Sequence, residues 1–372
     1  MGDKKRGVTP FYAIDFFAGS GLVTEALYPY FNVAWANDIS AKKATTYRAN
    51  HGDAHLVCED IKNIKGERLP HVTLAWASFP CQDLSLAGKI EGIYASRSGL
   101  VWEWLRVIDE LRELPPILVA ENVQGLISSK GGAHYADLHN ALTERGYVVG
   151  PLLLDAKIFL PQSRARIFVV AAQKRGALID SLLARGPSWT QSSKILLELS
   201  TQLSSWAWWH LPEPRESKIS LENCLEKDAP FPRKEWQDHN LRLVPEGHLN
   251  HFLAGSNLVA AGYKRTRKGR QVLEIRYDGI AGCLRTPRGG SSKQILIFKT
   301  ADGLKIRFIT AREAARLMGA PESYKLPGTY LDGYMAMGDA VALPVVKYLA
   351  KHLLYPLAAK LTKNDEKHQE AV

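Results

Sequence analysis

The chain has 372 residues, enough for about two domains of ordinary size with a well-buried core. Its formal net charge of +10 favours a polyanionic partner. The four cysteines (Cys58, Cys81, Cys224, Cys283) are scattered, so neither a disulfide framework nor a zinc site is indicated; with no bilayer-length apolar run and a charged start lacking a signal-peptide core, a soluble protein of the reducing cytoplasm is expected.

Apolar runs at Tyr12–Phe17, Asn32–Asn37, Val72–Ala77, Ile117–Ala120, Val148–Leu154 and Ile167–Ala172 read as buried strands, with helical patterns between most of them. This alternation predicts an α/β fold, a doubly wound, mostly parallel sheet built from residues 1–172. From 173 to 280 no clean period survives, tryptophans cluster (Trp189, Trp206, Trp208, Trp209, Trp236), and a second, smaller, irregular β-rich domain is expected. Trp206, Trp208 and Trp209 read as core of that small domain rather than as a stacking platform, the alternative reading. Residues 281–359 return to the first domain. There Thr310 and Glu313 fit a capping box, and a last helix over about Ala342–Tyr355 is expected to stop at Pro356. Residues 360–372 form a polar tail that is expected to fray.

Three placements within this frame carry chemistry. Asp15-Phe16-Phe17-Ala18-Gly19-Ser20-Gly21 lies where the first strand turns into a helix, and its glycines let backbone approach a ligand. Asp38 ends the next strand, where an acid holds a ribose hydroxyl, and Asp60-Ile61 follows near the third; together they predict a nucleoside-cofactor pocket. Cys81 follows Pro80 at the end of an apolar run and opens a polar loop, Gln82–Lys89. Glu121 ends a neighbouring run. A thiol and an acid at adjacent strand ends pair a nucleophile with a proton donor, which suits addition to an electron-poor ring. The plain alternatives are an inert packing thiol for Cys81 and solvated surface arginines for Arg164 and Arg166.

The motifs FxGxG at Phe17–Gly21, Pro-Cys-Gln at Pro80–Gln82, Glu-Asn-Val at Glu121–Val123, QxRxR at Gln162–Arg166, Arg285-Thr286-Pro287-Arg288-Gly289-Gly290 and Gly338-Asp339-Ala340-Val341 occur in this order. Over nearly its whole length the chain resembles the DNA (cytosine-5)-methyltransferases of bacterial and phage type, with their Rossmann-like methyltransferase domain. The resemblance implies that Cys81 adds to C6 of cytosine while Glu121 hydrogen-bonds N3 and the exocyclic amine. C5 then takes a methyl group from S-adenosylmethionine, and the target base is first rotated out of the double-stranded DNA. It further implies that Arg166 contacts O2, that Arg164 supports the pocket or the thiolate, and that the Gln82–Lys89 loop closes with Gln82 and Ser85 meeting the emptied stack or backbone.

By the same resemblance, Phe17 lies against the adenine, Ala18, Gly19, Ser20 and Gly21 form the cofactor turn, and Asp38 takes the ribose. Asp60 and Ile61 flank the adenine, and Pro80, Leu100, Asp339, Ala340 and Val341 complete the site. Two departures stand out: the family's late motif usually reads Gly-Asn-x-Val where this chain has Asp339, and Ile39 stands where an aromatic often stacks on adenine. Residues 173–280 correspond to a target-recognition domain. Within it Lys264 and Lys268 suit phosphate, and Arg265, Arg267 and Arg270 suit phosphate or base edges; Lys89 and Arg288 are further DNA-facing candidates. The expected function is sequence-specific DNA cytosine methylation by a monomer, in a bacterial or phage-infected cell, with a restriction endonuclease as a possible separate partner. The alternatives are a tRNA cytosine methyltransferase and a catalytically weak DNA-binding regulator; a nicotinamide dehydrogenase would have no use for Pro80–Gln82 and Glu121–Val123.

Overall fold

The computed structural model describes residues 9–80, 99–215, 219–286 and 293–369. Seven strands, β1 (Tyr12–Phe16), β2 (Asn32–Asn37), β3 (Leu56–Val57), β4 (Leu74–Ala77), β5 (Ile117–Val123), β6 (Tyr147–Asp155) and β7 (Ala165–Gln173), form one sheet in the order β3-β2-β1-β4-β5-β7-β6. The first five are parallel, and β7 runs antiparallel to both neighbours. The link between β6 and β7 is too short for a crossover helix, so the chain can only fold back.

The central strands are buried on both faces, which is why they read as continuous apolar runs. The pleat sorts them: Leu74 and Trp76 join the core with helices Leu22–Leu27 and Leu343–Leu349, while Ala75 and Ala77 face helices Leu100–Asp109 and Ala133–Glu144. Chain order reverses between β1 and β4. That switch point opens a crevice at the carboxyl ends of the strands, where ligands of such sheets bind.

A second sheet, order β11-β10-β8-β9, is antiparallel: β8 (Val259–Arg267), β9 (Arg270–Arg276), β10 (Ile295–Thr300) and β11 (Gly303–Phe308). Helices Lys234–Leu241 and Glu246–Ala254 cover it over a core that includes Phe252, Leu273, Ile295 and Ile306. Its last two strands come from beyond position 280, so the expected domain boundary there moves. The other boundary moves too. Trp209 is buried in the first domain and donates from Nε1 to the Val170 carbonyl at 3.1 Å, and Trp206 stacks on His139, 5.5 Å between ring centroids. These tryptophans are core of the large domain, because residues 205–209 run back along β6.

The capping box forms as expected, with Thr310 accepting from the Glu313 backbone and Glu313 from that of Thr310. Pro356 does not end the helix. A π turn at Ala350–Leu354 absorbs the missing donor, and a new helix, Tyr355–Gln369, begins with proline at its second position. Most of the expected polar tail is therefore helical. No helix among the described residues is long and apolar enough to cross a membrane.

Candidate active site

The glycine turn expected to hold the cofactor follows β1 directly. Phe17, Gly19 and Gly21 all have positive φ, at 57°, 58° and 89°, a region that favours glycine. A side chain at Gly21 would also run into the rings of His51 and Tyr47. Asp38 braces the turn from the end of β2: its carboxylate accepts from the Gly19 N–H at 2.9 Å and the Ser40 N–H at 2.8 Å. Ser20 is held from far along the chain, with its hydroxyl on the Ala336 carbonyl at 3.2 Å and its own carbonyl accepting from Tyr324. Ile39 is 68% exposed beside Asp38, an uncovered apolar surface at the place expected for adenine. Asp60 caps the short turn Ile61–Asn63, and Ile61 is buried. Leu100 starts its helix, Asp339 ends helix Tyr330–Asp339, and Ala340 and Val341 follow it.

The edge expected to be catalytic is built by register. Phe16 pairs with Ala77 and Ala77 with Ala120, so the next residues, Phe17, Ser78 and Glu121, arrive in one row. Glu121 is 6% exposed. Arg166 Nε lies 3.2 Å from its Oε1, and the Ser78 hydroxyl, which accepts from Trp76 Nε1 at 2.9 Å, donates to the same carboxylate. Burial pushes the Glu121 carboxyl above its ordinary value, and Arg166, Arg164 and Ser78 offset this only in part. Asn122 donates to the Phe79 carbonyl at 3.2 Å and so fixes the segment leading through Pro80 to position 81. Cys81, Gln82, Ser85, Lys89 and Arg288 lie outside the described residues.

Arg164, 3% exposed, does not face this row. Its guanidinium donates to the carbonyls of Leu284 (2.8 Å), Gly338 (3.2 Å) and Ala340 (2.6 Å) and to Cys283 Sγ (3.3 Å). These contacts tie the segment entering the strand of Arg166 to the Gly338–Val341 motif. Burial acts to raise the Cys283 thiol, but Arg164 and Arg166 outweigh it and leave the thiol below its ordinary value. Ser78, Asn122 and Cys283 had no role assigned from sequence; only Asn122 carried a signal, as the middle residue of the quoted triplet.

Asp15 was read only as part of the turn, yet it is fully buried, with Oδ2 accepting from Thr24 at 2.9 Å and Oδ1 unpartnered among the described residues. Burial raises its carboxyl from 3.8 to about 7. Between these values the unfolded chain has released the proton that the folded chain keeps, so stability falls as pH rises through this window, by at most about 4 kcal/mol in all. Asp15→Asn is expected to flatten the thermal midpoint against pH between about 4 and 7. Parallel curves for the two proteins would show that this carboxyl titrates normally.

The basic stretch of the small domain does not form one strip. The pleat of β8 puts Arg265 over the Tyr263 ring, 5.1 Å to its centroid, and Lys264 on the opposite face, 5.9 Å from the Trp236 centroid. Arg267 is engaged by both oxygens of Glu274, and Lys268 sits in the hairpin turn with positive φ, two residues before Arg270 begins β9. A cleft of about 350 Å³ lies between this sheet and the segment that follows β9, lined by His248, Tyr263, Arg265, Glu274, Arg276 and Cys283 among others.

The C-5 cytosine-specific DNA methylase family matches residues 11–355. The type II methyltransferase M.Bsp6I of Bacillus sp. (strain RFL6) is 26% identical over 330 residues, covering 87% of this chain and 91% of that one. The type II methyltransferase M.HpaII of Haemophilus parainfluenzae is 27% identical over 371 residues, covering 93% and 90%. Among solved structures, the Dnmt2 methyltransferase of S. pombe superposes with a TM-score of 0.61 at 20% identity, over 95% of this chain and 99% of that one. The methyltransferase EhMeth of Entamoeba histolytica gives 0.64 at 15%, over 95% and 99%. These two likenesses bear on the fold.

Proposed function

The chain belongs to the C-5 cytosine-specific DNA methylase family, and from that premise we propose that it methylates cytosine within a short double-stranded DNA sequence, through a covalent bond from Cys81 to a base turned out of the helix. The observation that carries this reading is the row at the sheet edge: a buried acid, Glu121, held by Arg166 and Ser78, next to the segment that delivers Cys81.

The residues at the β1 turn fit S-adenosylmethionine. The positive-φ backbone permits close approach, Asp38 is braced to meet hydroxyls, and exposed Ile39 offers an apolar face to a planar base. When bound, that cofactor supplies an electrophilic methyl group. Cys81, as thiolate, adds to C6 of cytosine, while Glu121 gives its proton to N3 and so takes up the charge that addition pushes into the ring. Arg166 hydrogen-bonds O2 and steadies Glu121. S-adenosylmethionine held there would supply the methyl group to the nucleophilic C5 and be left as S-adenosylhomocysteine; loss of the C5 proton to solvent, cleavage of the sulfur–C6 bond and return of the N3 proton to Glu121 would restore the thiolate and the acid and free 5-methylcytosine. Arg164 acts through backbone, as a positioning residue. Sequencing 5-methylcytosine in the DNA of a host expressing the chain tests the whole reading: methylation confined to one short motif is expected, and unmodified DNA would overturn it.

Arg265 is the arginine placed to read a base. It faces the cleft, its plane is ordered on Tyr263, and its fork is not the one held by Glu274. A bidentate contact to guanine discriminates by about 1–3 kcal/mol. Arg265→Ala is expected to relax the preference at one position of the methylated motif while affinity for unrelated DNA changes little. Uniform weakening on every sequence, with the motif intact, would make it a phosphate contact instead.

A further inference from the structure

Two charges at the rim of the cofactor pocket stand at helix ends that disfavour them. Asp339 is the last residue of its helix, where the dipole already presents negative charge, and Lys43 lies in the first turn of helix Ala41–His51, whose N-terminus is partially positive. They meet across the cofactor turn, Nζ to Oδ2 at 2.7 Å. The Lys43 stem runs beside Gly19, and the Thr286 hydroxyl donates to the other oxygen of Asp339. Burial works against the ammonium, and Asp339 with Asp38 outweighs it. A partly exposed ion pair adds little stability, so stability does not explain two charges set against two dipoles.

We propose that Lys43 and Asp339 are the receptor for the zwitterionic amino-acid end of the cofactor. The inference rests on S-adenosylmethionine being that cofactor. Its adenine and ribose have Phe17, Ile39 and Asp38; what remains is an α-carboxylate and an α-ammonium on one carbon. Lys43 and Asp339 supply the opposite pair at contact distance, and the bridge between them opens to exchange one ion pair for two. Asp339, where the family usually has an amide, is the half that attracts the ammonium, and Lys43 keeps that carboxylate from repelling its neighbour.

The test compares two ligands by isothermal titration calorimetry on the full chain: S-adenosylhomocysteine, and 5′-methylthioadenosine, which keeps the adenosine and thioether but lacks the amino-acid end. Lys43→Met is expected to weaken S-adenosylhomocysteine about tenfold or more, the worth of a charged hydrogen bond, and to leave 5′-methylthioadenosine within about twofold. Lys43→Arg restores most of the loss. Equal losses on both ligands, or none on either, overturn the proposal, since a scaffold role cannot tell the ligands apart. Wild-type protein that binds neither ligand would refute the cofactor reading itself, a separate result.

Discussion

Cys81→Ser abolishes methyl transfer, by a factor on the order of 10⁴ or more, and leaves cofactor and DNA binding close to wild type. A hydroxyl near neutral pH yields far less oxyanion than a thiol yields thiolate, so addition to C6 stalls before C5 is activated. The wild-type enzyme makes the complementary statement. On DNA carrying 5-fluorocytosine at the target, transfer proceeds but the fluorine cannot leave as the proton does, and a protein–DNA adduct stable to denaturation accumulates through Cys81. Methylation of that DNA with no adduct would refute the covalent route.

Glu121→Gln lowers turnover by about 10²–10⁴-fold, the usual worth of a positioned general acid, with S-adenosylhomocysteine affinity unchanged. The amide still forms hydrogen bonds to the base but has no proton to give N3. The two roles also predict a shape. Addition needs the thiolate, which grows with pH, and the protonated Glu121, which burial preserves above the ordinary range of a glutamate. The wild-type rate is therefore bell-shaped in pH, and the falling limb disappears from the residual rate of Glu121→Gln. A variant that lost turnover and cofactor affinity together would place Glu121 in the scaffold.

The large sheet was legible because its central strands are buried on both faces and leave uninterrupted apolar runs such as Leu74–Ala77. Strand direction was less so, since β7 has the same composition either way; only the short link after Asp155 betrays that it returns antiparallel. The second sheet escaped the expected boundaries because Ile295–Phe298 pairs with Val259–Gly262 across a stretch with no periodic signal. Local motifs placed Phe17, Asp38 and Glu121 at one edge, as the register confirms. Lys43 left no trace in sequence, for its meaning depends on Asp339 arriving from the far end of the chain. Arg164 and Arg166, two apart on the segment that enters β7, looked equivalent; depth separates them, one buried among carbonyls, the other beside the acid.

Ser20 is held by Tyr324 and Ala336, 304 and 316 positions later. A ribosome adding about 5–20 residues each second spends roughly 15–60 s between making that turn and making what holds it. Through that interval the nascent chain has Asp38 to brace its glycine turn but not the two contacts on Ser20, which form only once Tyr324 and Ala336 have left the ribosome. The completed turn is thus a late event of synthesis, and a message cut short yields a chain that has Cys81 and Glu121 yet lacks the far residues that hold Ser20 in place.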